Sequence, residues 1–386
     1  MGLRIAYVHY GEQSGVTSNL AAALAALGHE VVPVSGCGPL ELRHAGSRRL
    51  RLTPRVAAHL AFAVARFGLS RQALYYRQCT PYAFDVHSSF VGGALAALDP
   101  APDVVLQNGA LFAPGRPPPF PYVLAVDHTR ALGERLPVVP EANVPPPPRW
   151  GEAWRRREGE AYRGAAAVAS FSENTARSLV RDYGVEPARV RVVGAGANVF
   201  PERAARADDG ETILFVGREF ERKGGTILLD AFARLRRARP RARLLVAGPV
   251  APLALPEGAE QLGAVPYDGL AALFARATVF AMPTLHEPYG IAFLDAMACA
   301  VPCVGTRVEA VPEIVEDGAT GLLVPARDAA ALAAALERLL ASPDLARRMG
   351  ERGRERVASR FRWPLVARRV EDLLRAAAAR AGASAA

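Results

Sequence analysis

The chain has 386 residues, too many for one compact core and suited to two domains of ordinary size. About half of them are apolar, yet no apolar run reaches the ~20 residues that span a bilayer, and the first residues lack the flanks of a signal peptide. The net charge of +9 comes from Arg scattered among acids, without the interleaved aromatics of a single-strand nucleic-acid binder, so a solvated surface is expected, with an anionic membrane or phosphorylated substrate as the next reading.

Residues 3–8 read as a first strand. Gly11 to Gly15 form a loop, Thr17 or Ser18 is placed to cap a helix running to 27, and Gly28 ends it before a strand at 30–35. A helix is expected at 54–67, and the rest of 36–83 reads as an insertion. A helix at 84–98 and strands at 103–107 and 122–126 follow. The proline-rich stretches 114–121 and 137–148 are expected as stiff loops at the rim of a site, because Pro cannot serve central strands. A helix at 150–163, a buried strand at 165–170, a helix opening at Ser172 and a strand at 190–193 close this half.

Residues 194–210 read as a linker. A second alternation follows: strands at 212–216, 243–247, 278–281, 302–304 and 321–324, and helices at 226–237, 268–276, 289–299, 328–341 and 343–360. Trp363-Pro364 is expected to kink the chain before a last helix at 365–380. The fold class is therefore α/β, with two doubly wound parallel sheets. The domains are set at 1–200 and 205–362, with 364–386 packing back on the first. Ligands of such sheets bind beyond the carboxyl ends of the strands.

Two constellations carry chemistry. In Val216-Gly217-Arg218-Glu219-Phe220-Glu221-Arg222-Lys223-Gly224-Gly225 a buried strand ends, a loop carries two cations, and two glycines open a helix. The helix start and the cations suit a diphosphate; an ordinary charged surface loop is the alternative. Lys223 is the only lysine among 47 basic residues. Either it escaped a drift towards Arg, or a compact ammonium is needed where a planar fork fails. In the second, residues 284–302, Glu287 precedes a helix and Asp295 lies two turns along it. Two carboxylates there can accept hydroxyl hydrogen bonds, and amides at Tyr289, Gly290 and Ile291 face outward. A helix-dipole role would explain Glu287 but not an acid in an otherwise apolar helix. Cys37, Cys79, Cys299 and Cys303 show no metal or redox spacing and are expected as small buried residues in a reducing cytosol.

These residues carry a family resemblance. Segment 284–302 resembles the paired-acid signature of retaining glycosyltransferase family 4, the group 1 glycosyl transferases, and 216–225 resembles that family's Gly-Arg…Lys-Gly motif. Gly248, Gly263 with Pro266-Tyr267, and 311–325 are similar to its other motifs, and 7–31 to its opening strand and glycine loop. The resemblance implies a GT-B fold, two Rossmann-like domains facing a cleft, with the C-terminal helix crossing back to the N-terminal domain. It implies an enzyme, a hexosyltransferase-type transferase that moves a sugar from a nucleotide-diphosphate sugar to an acceptor hydroxyl with retention. A nucleotide-sugar epimerase and a non-catalytic nucleotide-sugar-binding subunit are the alternatives.

By the same resemblance, Arg218 and Lys223 bind the diphosphate, Glu287 the donor sugar and Asp295 the ribose. Tyr289, Gly290 and Ile291 line the donor site, and Gly15 with Val16 faces it from the N-terminal domain. His128 matches a family histidine near the transferred sugar, although a lone His is often structural. Asp127 is a weaker candidate. Glu309 and Glu313 either touch nucleotide or close a turn. The chain departs from the pattern in three places: Asp295 stands for the usual Glu, Gly11 and Gly15 are separated, and Val193-Gly194-Ala195-Gly196-Ala197-Asn198 replaces a Pro-Asn-Gly-Val-Asp run. With no Asp-x-Asp at a strand end, no cofactor and no essential metal are expected. The expected partners are a nucleotide sugar and a small-molecule, glycan or lipid-linked acceptor, with no nucleic acid, in a monomer or homodimer of the bacterial cytoplasm; peripheral contact with the inner membrane face stays open.

Overall fold

The structure, a computed structural model, describes residues 2–36, 38–42, 53–135, 151–201 and 207–385. Cys37, the second proline-rich stretch at 137–148, and parts of the 36–83 insertion and the 194–210 linker lie outside the described residues. The described chain divides into two compact units. The first runs to Gly194 and takes in Trp363 onward; the second runs from Ala195 to Arg362.

In the first unit the chain runs β1 (Arg4–His9), α1 (Val16–Ala26), β2 (Glu30–Ser35), α2 (Pro54–Phe67), α3 (Arg71–Tyr75), α4 (Pro81–Ala96), β3 (Val104–Asn108), β4 (Tyr122–Val126), α5 (Arg130–Gly133), α6 (Gly151–Gly164), β5 (Ala167–Ser170), α7 (Glu173–Tyr183) and β6 (Val190–Val192). The six strands form one parallel sheet in the order β2-β1-β3-β4-β5-β6, which reverses direction between β1 and β3. Every residue of β3, β4 and β5 is buried, as the continuous apolar runs of a two-sided parallel sheet require.

The expected cap at Thr17 or Ser18 is corrected. The cap of α1 is Gly15 in a left-handed conformation (φ 79°), with no side-chain cap. Thr17 Oγ1 instead donates to the carbonyl of Gly11 at 3.1 Å, and the Glu12 carboxylate accepts from the backbone N–H groups of Thr17 (3.2 Å) and Ser18 (3.1 Å). The helix begins earlier because an acid from the loop satisfies its first amides. The helix expected at 84–98 starts at Pro81, where the Thr80 side chain caps it by accepting from Ala83 N–H at 3.1 Å.

The second unit runs β7 (Thr212–Val216), α8 (Gly225–Ala238), β8 (Arg243–Ala247), β9 (Ala259–Gly263), α9 (Tyr267–Arg276), β10 (Val279–Met282), α10 (Ile291–Ala298), β11 (Cys303–Thr306), α11 (Val311–Ile314), β12 (Gly321–Val324), α12 (Ala329–Leu340) and α13 (Pro343–Arg360). Its parallel sheet has the order β12-β11-β10-β7-β8-β9. The chain builds outward from β7 through β8 to β9 on one side and from β10 through β11 to β12 on the other, so the switch point lies between β7 and β10. β9 was not expected. Its sequence, Ala-Glu-Gln-Leu-Gly, has no apolar run because it is the half-buried edge strand.

α14 (Trp363–Ala385) begins after a two-residue break. Trp363-Pro364 does not stand outside it as a kink but forms its first turn, where Pro lacks no hydrogen bond it needs. The helix returns to the first unit against α1, β3, β4 and β5. Val366, Val370, Leu374 and Ala377, spaced three to four apart, are its buried face. His29 Nε2 meets Glu371 at 3.1 Å, and Arg369 donates to the Val193 carbonyl at 2.9 Å.

Candidate active site

The switch point of the second sheet brings two loops together, one after β7 and one after β10. Their closeness is set by glycine. Gly224 caps α8 in a left-handed conformation (φ 75°), and a Cβ there would lie 1.9 Å from the Pro283 carbonyl oxygen. At Gly217 a Cβ would lie 2.2 Å from Lys223 Cδ, so only glycine leaves room for the lysine stem. The loops are then tied by hydrogen bonds. The Arg222 carbonyl accepts from Leu285 N–H at 2.9 Å.

At this junction Lys223 Nζ donates to Glu287 Oε2 at 2.9 Å and approaches Met282 Sδ at 3.5 Å. Arg222 Nη1 stands 4.0 Å from the same Glu287 oxygen while its guanidinium grips Glu219 Oε2 at 2.9 and 2.6 Å. Glu287 is buried, with 8% of its side chain exposed. Burial pushes its carboxyl up, but the Lys223 and Arg222 cations outweigh this and hold it below its ordinary value. The result is an ionised acid and an ammonium held side by side at the carboxyl edge of a parallel sheet.

The helix expected at 289–299 starts later, at Ile291, and Gly290 caps it at φ 112°. Tyr289 and Gly290 belong to the loop. Tyr289 is buried, and its hydroxyl accepts from Ala195 N–H at 2.9 Å. Asp295 is buried in α10, and its Oδ1 accepts from the N–H groups of Asn198 (2.7 Å) and Val199 (2.9 Å). Burial pushes the Asp295 carboxyl up to about 7 against those two donors. Two of the departures from the family pattern, Asp295 and the 193–198 run, therefore touch each other. Arg218 is exposed and makes no hydrogen bond or ion pair among the described residues.

Other candidates lie in the first unit. Gly15 and Val16 begin α1 at the carboxyl end of β1, beside the switch point of that sheet. His128 follows β4, just before Thr129, which caps α5 and whose hydroxyl bonds Ser178 Oγ at 2.7 Å; the Asp127 carbonyl accepts from Thr175 Oγ1 at 2.7 Å. Cys79, Cys299 and Cys303 are buried free thiols. Sequence reasoning missed the part of Arg222, which carries no signal apart from its place beside Lys223, and resolved Glu309 only as an alternative.

Two family models tile the chain. "Glycosyl transferase 4-like domain" matches residues 12–196, and "Glycosyl transferases group 1" matches residues 198–356. Sucrose-phosphate synthase from Thermosynechococcus elongatus shares the fold with a TM-score of 0.68 at 23% identity, over 97% of this chain and 98% of that one. Anabaena HepE, solved with UDP and glucose, shares it with a TM-score of 0.64 at 14% identity, over 96% and 99%. The fold is GT-B. The chain belongs to the group 1 glycosyl transferases of glycosyltransferase family 4. Among curated relatives, a D-inositol 3-phosphate glycosyltransferase of Streptomyces bingchenggensis is 34% identical over 232 residues, 52% of this chain and 51% of the relative. An alpha-maltose-1-phosphate synthase of Mycolicibacterium smegmatis is 34% identical over 254 residues, 56% of this chain and 65% of the relative. The chain thus spans about half to two thirds of the length of these relatives.

Proposed function

We propose that the chain is a retaining glycosyltransferase that moves a sugar from a nucleotide-diphosphate sugar to an acceptor hydroxyl. The observation that carries this reading is the Lys223 ammonium on the buried Glu287 carboxylate at the switch point of the second sheet. Lys223, the exposed Arg218 and the start of α8 offer positive charge to a diphosphate, and charge grows there as the leaving group departs. Glu287 accepts from hydroxyls of the donor sugar. The bond from the sugar's anomeric carbon to the diphosphate breaks, the acceptor oxygen bonds on the same face, and its proton goes to the departing phosphate oxygen. His128, Gly15 and Val16 are the first unit's candidates for sugar binding. Ile291 with Tyr289 and Gly290 lines the donor. Because side-chain cations take the leaving-group charge, turnover is expected without a divalent metal and to survive EDTA. The UDP and glucose bound to Anabaena HepE support the donor class, and the names of the curated relatives support the transfer.

The test is turnover with UDP-glucose, UDP-N-acetylglucosamine, ADP-glucose and GDP-mannose, with and without polyol phosphates, glycans and lipid-linked acceptors. Proton NMR of the product must show the donor's anomeric configuration. An inverted product ends the retaining reading. A donor isomerised without acceptor makes the chain an epimerase, and binding without turnover makes it a non-catalytic subunit.

Work in the cytoplasm at an anionic membrane face belongs to the same proposal. Among the described residues no helix is long and apolar enough to cross a membrane. The α2–α3 corner presents Leu69 (94% exposed), Leu74 and Phe62 among the exposed Arg55, Arg66 and Arg71, and no acid stands between Glu41 and Asp85. Sedimentation with phosphatidylglycerol vesicles but not phosphatidylcholine vesicles is the expected result.

A further inference from the structure

The peptide plane joining His286 to Glu287 is held at both ends. Its carbonyl oxygen accepts from Arg222 Nη1 at 2.5 Å and from Thr284 Oγ1 at 2.9 Å. Its N–H donates to Glu309 Oε2 at 2.6 Å, and the same carboxylate oxygen lies 2.6 Å from His286 Nδ1. Upstream, Thr306 Oγ1 at the end of β11 holds the Thr284 carbonyl at 2.5 Å. A short charged hydrogen bond such as that of Glu309 is stiffer than a neutral one.

Glu309 reaches this place in an unfavourable backbone conformation. Its φ is 44°, the left-handed region that glycine fills without strain and that a glutamate resists. A turn between β11 and α11 needs no glutamate, and a glycine would build it with less strain. Such an outlier persists only where the surroundings hold it, and here what holds it is the side chain, only 8% exposed, against the site loop.

We propose that Glu309 is a positioning residue. By fixing the N–H of Glu287 it sets the direction in which the Glu287 side chain leaves the loop, and so seats the carboxylate on Lys223. The inference rests on the reading of Lys223 and Glu287 as the donor site, and goes beyond it by assigning the strut that aligns them.

The experiment compares Glu309→Gly and Glu309→Gln with the parent chain by thermal unfolding, by turnover of the donor the parent accepts, and by a crystal structure of Glu309→Gly. Glycine relieves the strained φ and removes the strut. Its unfolding temperature is expected to equal or exceed the parent's, while kcat falls about tenfold or more with donor KM changed less than about threefold. Glu309→Gln, whose amide oxygen still accepts from the Glu287 N–H, is expected to recover about a third or more of the parent kcat. In the Glu309→Gly crystal the Lys223–Glu287 pair is expected to separate. An intact pair overturns the proposal, whatever the activity. So does an unfolding temperature that falls in step with activity, which would make Glu309 a support of the turn alone. A parent chain that turns over no donor would remove the glycosyltransferase reading, and the crystal would still decide the role of Glu309.

Discussion

At the scale of single residues, the surroundings of Lys223 favour a compact cation. The stem lies against Gly217 and the ammonium between Met282 and Glu287, a slot that suits a compact cation and not a planar fork. Lys223→Arg is expected to lose more than about tenfold in kcat with the fold kept, and Lys223→Ala and Glu287→Ala to lose transfer altogether; near-normal turnover by a purified variant would remove that residue from the mechanism. Arg222 was not legible, because sequence order does not tell which of two adjacent cations turns toward the acid. Asp295 carries a pH prediction. Its folded value of about 7 lies above the ordinary 3.8, so between roughly pH 4 and 7 the unfolded chain releases a proton that the folded chain keeps. Stability from this group is full below pH 4 and is lost as pH rises through 7. Glu287, held below its ordinary value, works the other way: its contribution is present above the ordinary carboxylate range and lost as pH falls through the lowered value. Asp295→Asn keeps an oxygen for the Asn198 and Val199 amides and cannot ionise. Relative to the parent, its unfolding temperature is expected to gain about 4 °C or more between pH 5 and 7.5; equal slopes in differential scanning fluorimetry would contradict this.

At the scale of elements, the strands that sequence made plain are those buried on both faces, such as β4 and β10, where apolar residues run without interruption. β9 escaped because an edge strand with one wet face carries Glu and Gln. The starts of α1 and α10 were misplaced for a shared reason. Both are capped by a glycine at positive φ, and in α1 a distant acid, Glu12, satisfies the first amides, so the local Ser and Thr signals misled. The β7–α8 loop is where an element boundary decides the site. Gly224→Ala places a methyl group on the Pro283 carbonyl at a φ that alanine resists. It is expected to cost about 2 kcal/mol or more and to part the two loops, lowering the unfolding temperature and kcat together. Retention of both would mean that the loops are joined by their hydrogen bonds alone.

At the scale of the whole chain, the α/β alternation made both parallel sheets legible, while their strand orders were not, since order depends on which crossovers reverse. The two orders differ: the second sheet reverses after three strands, the first after two. The return of α14 was read from the helix beyond Trp363 and its resemblance to a crossing C-terminal segment. Deleting 363–386 uncovers the partners of Val366, Val370 and Leu374 and is expected to cost the first unit roughly 5 kcal/mol. Calorimetry is expected to show the second unit, continuous from Ala195 to Arg362, melting as before, and the first melting earlier or not cooperatively; a single unchanged transition would mean that α14 adds nothing to its host. The same interruption has a consequence in time. During synthesis the first unit must wait for its last helix until the whole second unit has been translated, on the order of ten seconds or more at ribosomal speed. For that interval the face that α14 later covers is open on a nascent chain, which makes it a natural landing place for chaperones and makes translation rate across the second unit a determinant of how much protein reaches its finished form.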